Sequence, residues 1–369
     1  MLGKQEMHLR EIYWLALLFL IVALPCWAQD DLPDVCKQYS AVPLPAEAAV
    51  ATPAEFPACN SYKSYAGIGH DADFTAARHC AWQERAANKA QLAQNPKAPI
   101  AWTVGGSLIL ADIYANGLGT SQNIPLAARL ICEDNGLLRS EAVADLEAHK
   151  VGSEKPAKPF ELCDYAATTF EMNFCGGFAS ERENDTRERT IAKLSNGWTP
   201  AAKTAFAVAE QAFDNYARSV ARNETYQGGT IRNLRSNAVE QQLRRTFVLD
   251  LQNFESGALP SDSADSARQA DTELNLVYRT AMDAAQALKP HDPEEVQPEG
   301  IRDTERLWLR YRDDWISFAK LRYPATKPDI WLGQTTRTRT EQLEMVACGL
   351  DAKSSVCTPA ILRRLQDTL

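Results

Sequence analysis

Apolar residues recur every three or four positions along most of the chain, a spacing that predicts helices rather than strands. Thr199-Pro200 is a helix start, with a capping hydroxyl and a proline in the first turn. Behind it Phe206, Ala209, Phe213, Tyr216 and Val220 share one face. Leu243, Phe247, Leu251 and Phe254 repeat the pattern. The polar break PSDSADS follows, and Leu274, Val277 and Tyr278 open another helix. Pro290, Pro293 and Pro298, set among acids, make a loop. Trp308, Tyr311, Trp315, Phe318 and Leu321 mark the next helix, and Leu343 and Val346 the last. Phe213, Tyr216 and Val220 return at the same spacing as Trp308, Tyr311 and Trp315, which reads as a divergent duplication of helical hairpins. The expected fold is all-α, a bundle of helical hairpins over 160–350, followed by a C-terminal tail at 351–369.

Upstream, the pattern changes twice. Residues 29–66 are rich in Pro and Ala with scattered acids, too little apolar surface for a core, so an extended or loosely ordered segment is expected. Residues 67–150 return to helix. DFTAARHCAWQERAANKAQLA is Ala-rich and free of Gly and Pro. Leu110, Ile113 and Tyr114 then share a face, Gly117 and Gly119 end that helix, and Leu126, Ala127 and Leu130 lie on a second one. Leu110, Tyr114, Gly117, Gly119, Asn123 and Ala127 stand in the order of a Sel-one-like repeat, which this stretch resembles. The resemblance implies a helix pair of the kind that binds partner proteins when several copies stack. One clear copy is present.

The first residues carry a different signal. Lys4 and Arg10 lie in a polar start, Leu15 to Leu24 is unbroken apolar sequence, and Pro25-Cys26-Trp27-Ala28 ends on a small residue. This is the layout of a signal peptide over 1–28, cleaved after Ala28. The alternatives are a tilted anchor that includes Ile12 to Trp14 and a lipoprotein modified on Cys26, which Pro25 fits poorly. No later segment is apolar enough to cross a bilayer, so no stable membrane insertion is expected after cleavage.

Nine cysteines agree with an exported address. Without Cys26 an even set remains: Cys36, Cys59, Cys80, Cys132, Cys163, Cys175, Cys348 and Cys357. In an oxidising compartment, periplasmic or extracellular, such a set reads as disulfides. Near-neighbour pairing is expected: Cys36–Cys59, Cys80–Cys132, Cys163–Cys175 and Cys348–Cys357. No Cys/His cluster has zinc-site spacing, so no metal or other cofactor is expected. The formal charge of −9 repels phosphate backbones, which argues against nucleic acid, and favours encounter with a basic protein partner. No G-x-S-x-G, P-loop or dinucleotide fingerprint occurs, and no catalytic residue is assigned. The expectation is not an enzyme.

One further resemblance bears on function. CDYAATTFEMNFC, Cys163 to Cys175, is similar to the opening of the LprI-type lysozyme-inhibitor family. Arg306, Trp308, Leu309, Tyr311, Arg312 and Asp313 resemble that family's closing Trp/Arg helix. The family commonly has a cysteine shortly after that Asp, where this chain has Trp315. The resemblance spans about 160–350 and implies an exported helical protein that binds a lysozyme. The alternative is a periplasmic interaction module without inhibitory activity. Trp308 and Tyr311 fall on the core stripe, so the motif reads first as structural. Candidate contacts with a basic enzyme are the acidic stretch carrying Asp292, Glu294, Glu295 and Glu299, and the Gly228-Gly229 bend.

Overall fold

The computed structural model describes residues 34–50, 59–95, 106–133, 139–146, 149, 158–261, 264–289 and 292–368. The expected leader, 1–28 with Cys26, lies outside them, as do Pro290 and His291. Every regular element among the described residues is helical. The N-terminal elements are α1 (Asp34–Lys37), α2 (Glu47–Val50), α3 (Ser61–Ala66), α4 (Phe74–Gln94), α5 (Ser107–Asn116), α6 (Ile124–Glu133) and α7 (Arg139–Leu146). A 3-10 turn at Leu162–Tyr165 leads to six long helices: α8 (Thr169–Leu194), α9 (Pro200–Asn223), α10 (Arg232–Glu255), α11 (Ala264–Leu288), α12 (Pro298–Arg322) and α13 (Pro328–Leu350). Helix α14 (Pro359–Thr368) is the last described element, so the tail is partly helical, and it packs on α13 with Ile361 buried.

Local chemistry sets the helix starts. Thr168 caps α8 in a capping box, in which Glu171 reaches back to the Thr168 N–H at 2.9 Å. Thr199 accepts the Ala202 N–H, and Pro200 occupies the first turn of α9. In the repeat-like unit, Gly117 and Gly119 have φ of 68° and 61°, left-handed values that a side chain resists. The Asn123 side chain accepts the Leu126 N–H at 3.1 Å and caps α6. Leu110 and Ala127 are fully buried where α5 and α6 meet.

Two apolar cores result. The first gathers Trp82, Leu110, Ile113, Leu126, Leu130 and Phe160. The second gathers Phe206, Phe213, Phe247, Trp308, Trp315 and Trp331. Helix α8 belongs to both, since Phe174 and Phe178 pack on the first and Ile191 lies in the second. Phe160 and Leu162 also join the first core, so the boundary between cores falls inside α8 and not at 160. In the second core, α8–α10 and α11–α13 form two successive runs of long helices. Their lengths are 26, 24 and 24 residues, then 25, 25 and 23. The middle helices α9 and α12 pack on each other, and the first and third helices of each run are neighbours. The two runs thus repeat the same order of packing among three helices. Leu321, placed on the apolar stripe by its spacing, is exposed.

Four disulfides link the described cysteines, and two connectivities differ from near-neighbour pairing. Cys36 joins Cys132, and Cys59 joins Cys80, with Cα–Cα distances of 5.5 and 5.6 Å. Packing explains the exchange. Helices α3 and α4 pack side by side, which brings Cys59 to Cys80, while α1 rests on α6 and α7 beside Cys132. Cys163–Cys175 and Cys348–Cys357 form as expected. Four disulfides suit an oxidising compartment. Among the described residues no helix is long and apolar enough to cross a membrane.

Segment 29–66 also departs from expectation. Its described part holds three short helices, and Cys36 is buried. Glu47 anchors it, accepting hydrogen bonds from Tyr114, from Trp82 at 3.3 Å and from Arg78 at 3.2 Å. Burial works to raise the Glu47 carboxyl, but these donors outweigh it and hold it below the usual range. The Pro/Ala-rich stretch is a strap latched by one carboxylate and two disulfides, Cys36–Cys132 and Cys59–Cys80.

Candidate functional site

Two of the segments singled out in the sequence meet in space. Helix α9 ends at Asn223, and the chain runs through Glu224, Tyr226, Gly228 and Gly229 into α10. The acidic loop leaves α11 and enters α12. The Gln227 N–H donates to the Glu294 carbonyl at 2.9 Å and joins the two loops. Gly228 is buried against the Tyr226 ring and the Glu294 carboxylate, so a side chain there would displace both. Gly229 is exposed with φ of 79°, a turn conformation that suits glycine. Arg235 on α10 fixes the first loop from below, donating to the Tyr226 carbonyl at 2.9 Å with its guanidinium over the Tyr226 ring.

The acidic loop is equally tied down. The Asp292 carboxylate accepts the Glu294 N–H at 3.0 Å, and the Glu295 carboxylate accepts the Val296 N–H at 3.0 Å. Val296 and Pro298 are buried and anchor the loop in the core. Glu294 remains exposed and Asp292 and Glu295 half-buried, so three carboxylates crowd one short turn. Their field is visible on the neighbouring phenol. Asp292 foremost, with Glu294 and Glu295, pushes Tyr226 above its ordinary pKa. Glu299 differs from these three: it lies in the first turn of α12, where Lys289 binds it at 2.6 Å and holds its carboxyl below the usual range.

Beneath the paired loops lies a charged cluster that the sequence did not announce. Arg339, from α13, is fully buried. Its two terminal nitrogens donate to the Glu224 carboxylate at 2.8 and 2.6 Å, and its Nε donates to Glu305 on α12 at 2.9 Å. Tyr216 lies against the guanidinium and donates its hydroxyl to Gln342. Burial alone would lower the Arg339 pKa, but Glu224 and then Tyr216 and Glu305 drive it well above normal. Burial raises the Glu305 carboxyl. The cluster ties α9, α12 and α13 together at the residue where the first loop departs. Ser219, Asn223 and Thr304 extend it, with a Ser219–Thr304 hydroxyl contact of 2.7 Å.

The comparisons leave this geometry without a relative. No family model, no curated protein and no solved structure matches the chain.

The remaining motif residues lie along α12 and divide between its core face and its surface. Trp308 is buried, and Tyr311 stacks on Tyr216 with centroids 5.9 Å apart. Arg312 pairs with Asp313 at 2.8 Å and lies over the Trp308 ring. Arg306 is exposed, paired with Asp303 on its own helix, and Leu309 points outward. Among the described residues, no group of three or more His, Cys, Asp and Glu side chains is arranged to hold a metal ion. Arg339 escaped the sequence reading because it sits in a run of threonines and charges that reads as a solvated face. A buried ion pair leaves no mark on hydropathy, and its partners Glu224 and Glu305 are far away in sequence.

Proposed function

We propose that this chain is an exported, non-enzymatic protein-binding module whose paired loops dock onto a basic cell-wall hydrolase of the lysozyme class and slow it. The observation that carries the reading is the junction of the Gly228 loop with the acidic loop over the buried Arg339–Glu224 pair. Asp292, Glu294 and Glu295 form a negative surface whose backbone is already fixed. A preorganised loop loses little conformational freedom on binding, so more of its contact energy is expressed as affinity. Clustered carboxylates speed encounter with a basic protein and make it sensitive to salt. Tyr226, beside them, offers a ring and a hydroxyl of the kind enriched at binding hot spots. The resemblance of Cys163–Cys175 and of the Trp308 helix to the lysozyme-inhibitor family points the same way.

Purified protein with its disulfides intact is expected to retard lysis of cell walls by a c-type or g-type lysozyme at micromolar concentration, less so as salt is added. The triple substitution Asp292→Asn, Glu294→Gln, Glu295→Gln should abolish the effect while leaving the circular dichroism unchanged. If no lysozyme of either type is slowed, inhibition is ruled out. Capture of a lysozyme without loss of its lytic activity would leave the alternative, a binding module that does not inhibit.

A further inference from the structure

The two runs of helices differ at one seam. In the second run α11 and α13 close on each other: Ala267 lies against Gly333, and Val277, Ala281 and Leu343 are buried. In the first run the corresponding pair, α8 and α10, leaves an open cleft of about 390 Å³ between them. The same architecture can pack this seam shut, so the opening follows from the residues placed there. Four of the lining residues are arginines, Arg182, Arg187, Arg244 and Arg245, and one is an acid, Glu183.

The arginines are held from behind. Asp214 on α9, not itself a lining residue, takes Arg244 at 2.5 Å and Arg187 at 3.2 Å. Glu240 takes Arg244 at 2.7 Å, and Glu183 takes Arg245 at 2.8 Å. Glu210 on α9 also acts on Arg187 and Arg244, so those two are balanced from behind. Arg182 makes no ion pair among the described residues, and the Nε of Arg187 is buried with no hydrogen-bond partner. Arg182 is exposed and lines the cleft, so its guanidinium is open to an anion entering there. Val248 and the exposed Leu249 supply an apolar wall beside these cations.

We propose that the α8–α10 cleft is a binding site for an oxyanion, carboxylate or phosphate, carried on a short apolar chain. The volume falls within the range of small-molecule sites. Planar guanidinium groups match both oxyanions, while Val248 and Leu249 take the apolar portion. The site is on the opposite end of α10 from the paired loops' entry at Arg232 and owes nothing to the lysozyme reading.

Isothermal titration calorimetry of the full disulfide-bonded chain tests this with octyl phosphate, octanoate, inorganic phosphate and octyl glucoside, each below its micellar concentration. Octyl phosphate and octanoate should bind, inorganic phosphate at least about tenfold more weakly, and octyl glucoside not at all. Arg182→Gln, at an exposed position, and Arg187→Gln should each weaken octyl phosphate about tenfold, and Thr186→Trp should block it, with circular dichroism unchanged. Co-sedimentation with phosphatidylglycerol vesicles identifies the source of the anion: capture assigns a lipid, and binding of the monomeric amphiphiles alone assigns a free metabolite. Equal binding of octyl glucoside, no binding of either charged amphiphile, or indifference to both arginine substitutions would overturn the proposal.

Discussion

Replacing Arg339 by leucine tests the foundation of the paired loops. The substitution removes the guanidinium and leaves Glu224 fully buried and Glu305 nearly so, each without its cation. Breaking one side of a buried ion pair typically costs about 3–5 kcal/mol, because the remaining charge is stranded away from water. Against a total stability of about 5–15 kcal/mol, that is a large fraction. For a core of this size each kcal/mol moves the melting temperature by about 2–4 °C, so a fall of roughly 6–20 °C is expected. Thermal and urea unfolding by far-ultraviolet circular dichroism, under non-reducing conditions, reads it directly. The stranded carboxyls of the variant have folded-state pKa values above their unfolded ones. Its deficit is therefore largest at neutral pH and shrinks as the pH falls and they protonate. Adding Glu224→Leu should recover part of the loss, since the pair is then replaced rather than broken. A deficit at pH 7 below about 1 kcal/mol, the worth of a surface pair, would refute the view that this cluster is dry and structurally central.

The other expectations concern separate features. Burial pushes the Asp112 carboxyl, which accepts the Leu162 N–H at 3.1 Å, from 3.8 up to about 8. The folded chain thus binds more protons than the unfolded one between those values, and this group's contribution to stability declines as pH rises through that window. Asp112→Asn keeps an acceptor without the charge, and should match the parent near pH 4 and exceed it progressively up to pH 8 in urea titrations. Peptide mapping without reduction should return Cys36–Cys132 and Cys59–Cys80 linked. Recovery of Cys36–Cys59 peptides instead would contradict the packing of α1 on α6 and α7. The chain-entropy argument gives about 5 kcal/mol for the long Cys36–Cys132 loop and about 3 for Cys348–Cys357, so Cys36→Ser with Cys132→Ser should lower the melting temperature more than Cys348→Ser with Cys357→Ser. Gly228→Val should displace Tyr226 and Glu294, leave the melting temperature within a few degrees, and weaken lysozyme binding in the lysis assay. Unchanged inhibition would remove the paired loops from the contact.

How far the sequence could be read depended on whether a feature was local. Helix α9 and its cap at Thr199 followed from neighbouring residues, as did the Trp308 stripe of α12 and the glycine stops at Gly117 and Gly119. The helical repeat-like unit and the all-α class came with them, because periodicity reports which face is buried. Leu321 shows the limit: its spacing from Phe318 fits the stripe, but at this end of α12 the core is met by Phe318, Ala319 and Tyr323, and Leu321 faces outward. Disulfide connectivity depended on which helices became neighbours, so nearest-in-sequence pairing succeeded for Cys163–Cys175 and Cys348–Cys357 and failed for the first four cysteines. The strap over 29–66 was hidden by its composition, since what holds it, Glu47, Cys36, Cys59 and scattered apolar residues such as Tyr39 and Leu44, meets partners far away in sequence. For the paired loops, each half was recognisable by its glycines or its acids. Their meeting through Gln227 and Glu294 was not, because nothing local encodes a contact between segments so far apart.

Helix α8 has a consequence for anyone dissecting this molecule. Its 26 residues extend about 39 Å, and its two ends are seated in different cores. A truncation made near 160, ahead of α8, would strip Phe160 and Leu162 from one half and leave Phe174 and Phe178 bare on the other. Neither fragment inherits a complete interior. The halves should therefore melt as one cooperative body, and a protease that nicks the middle of this strut should destroy both together rather than release a folded piece.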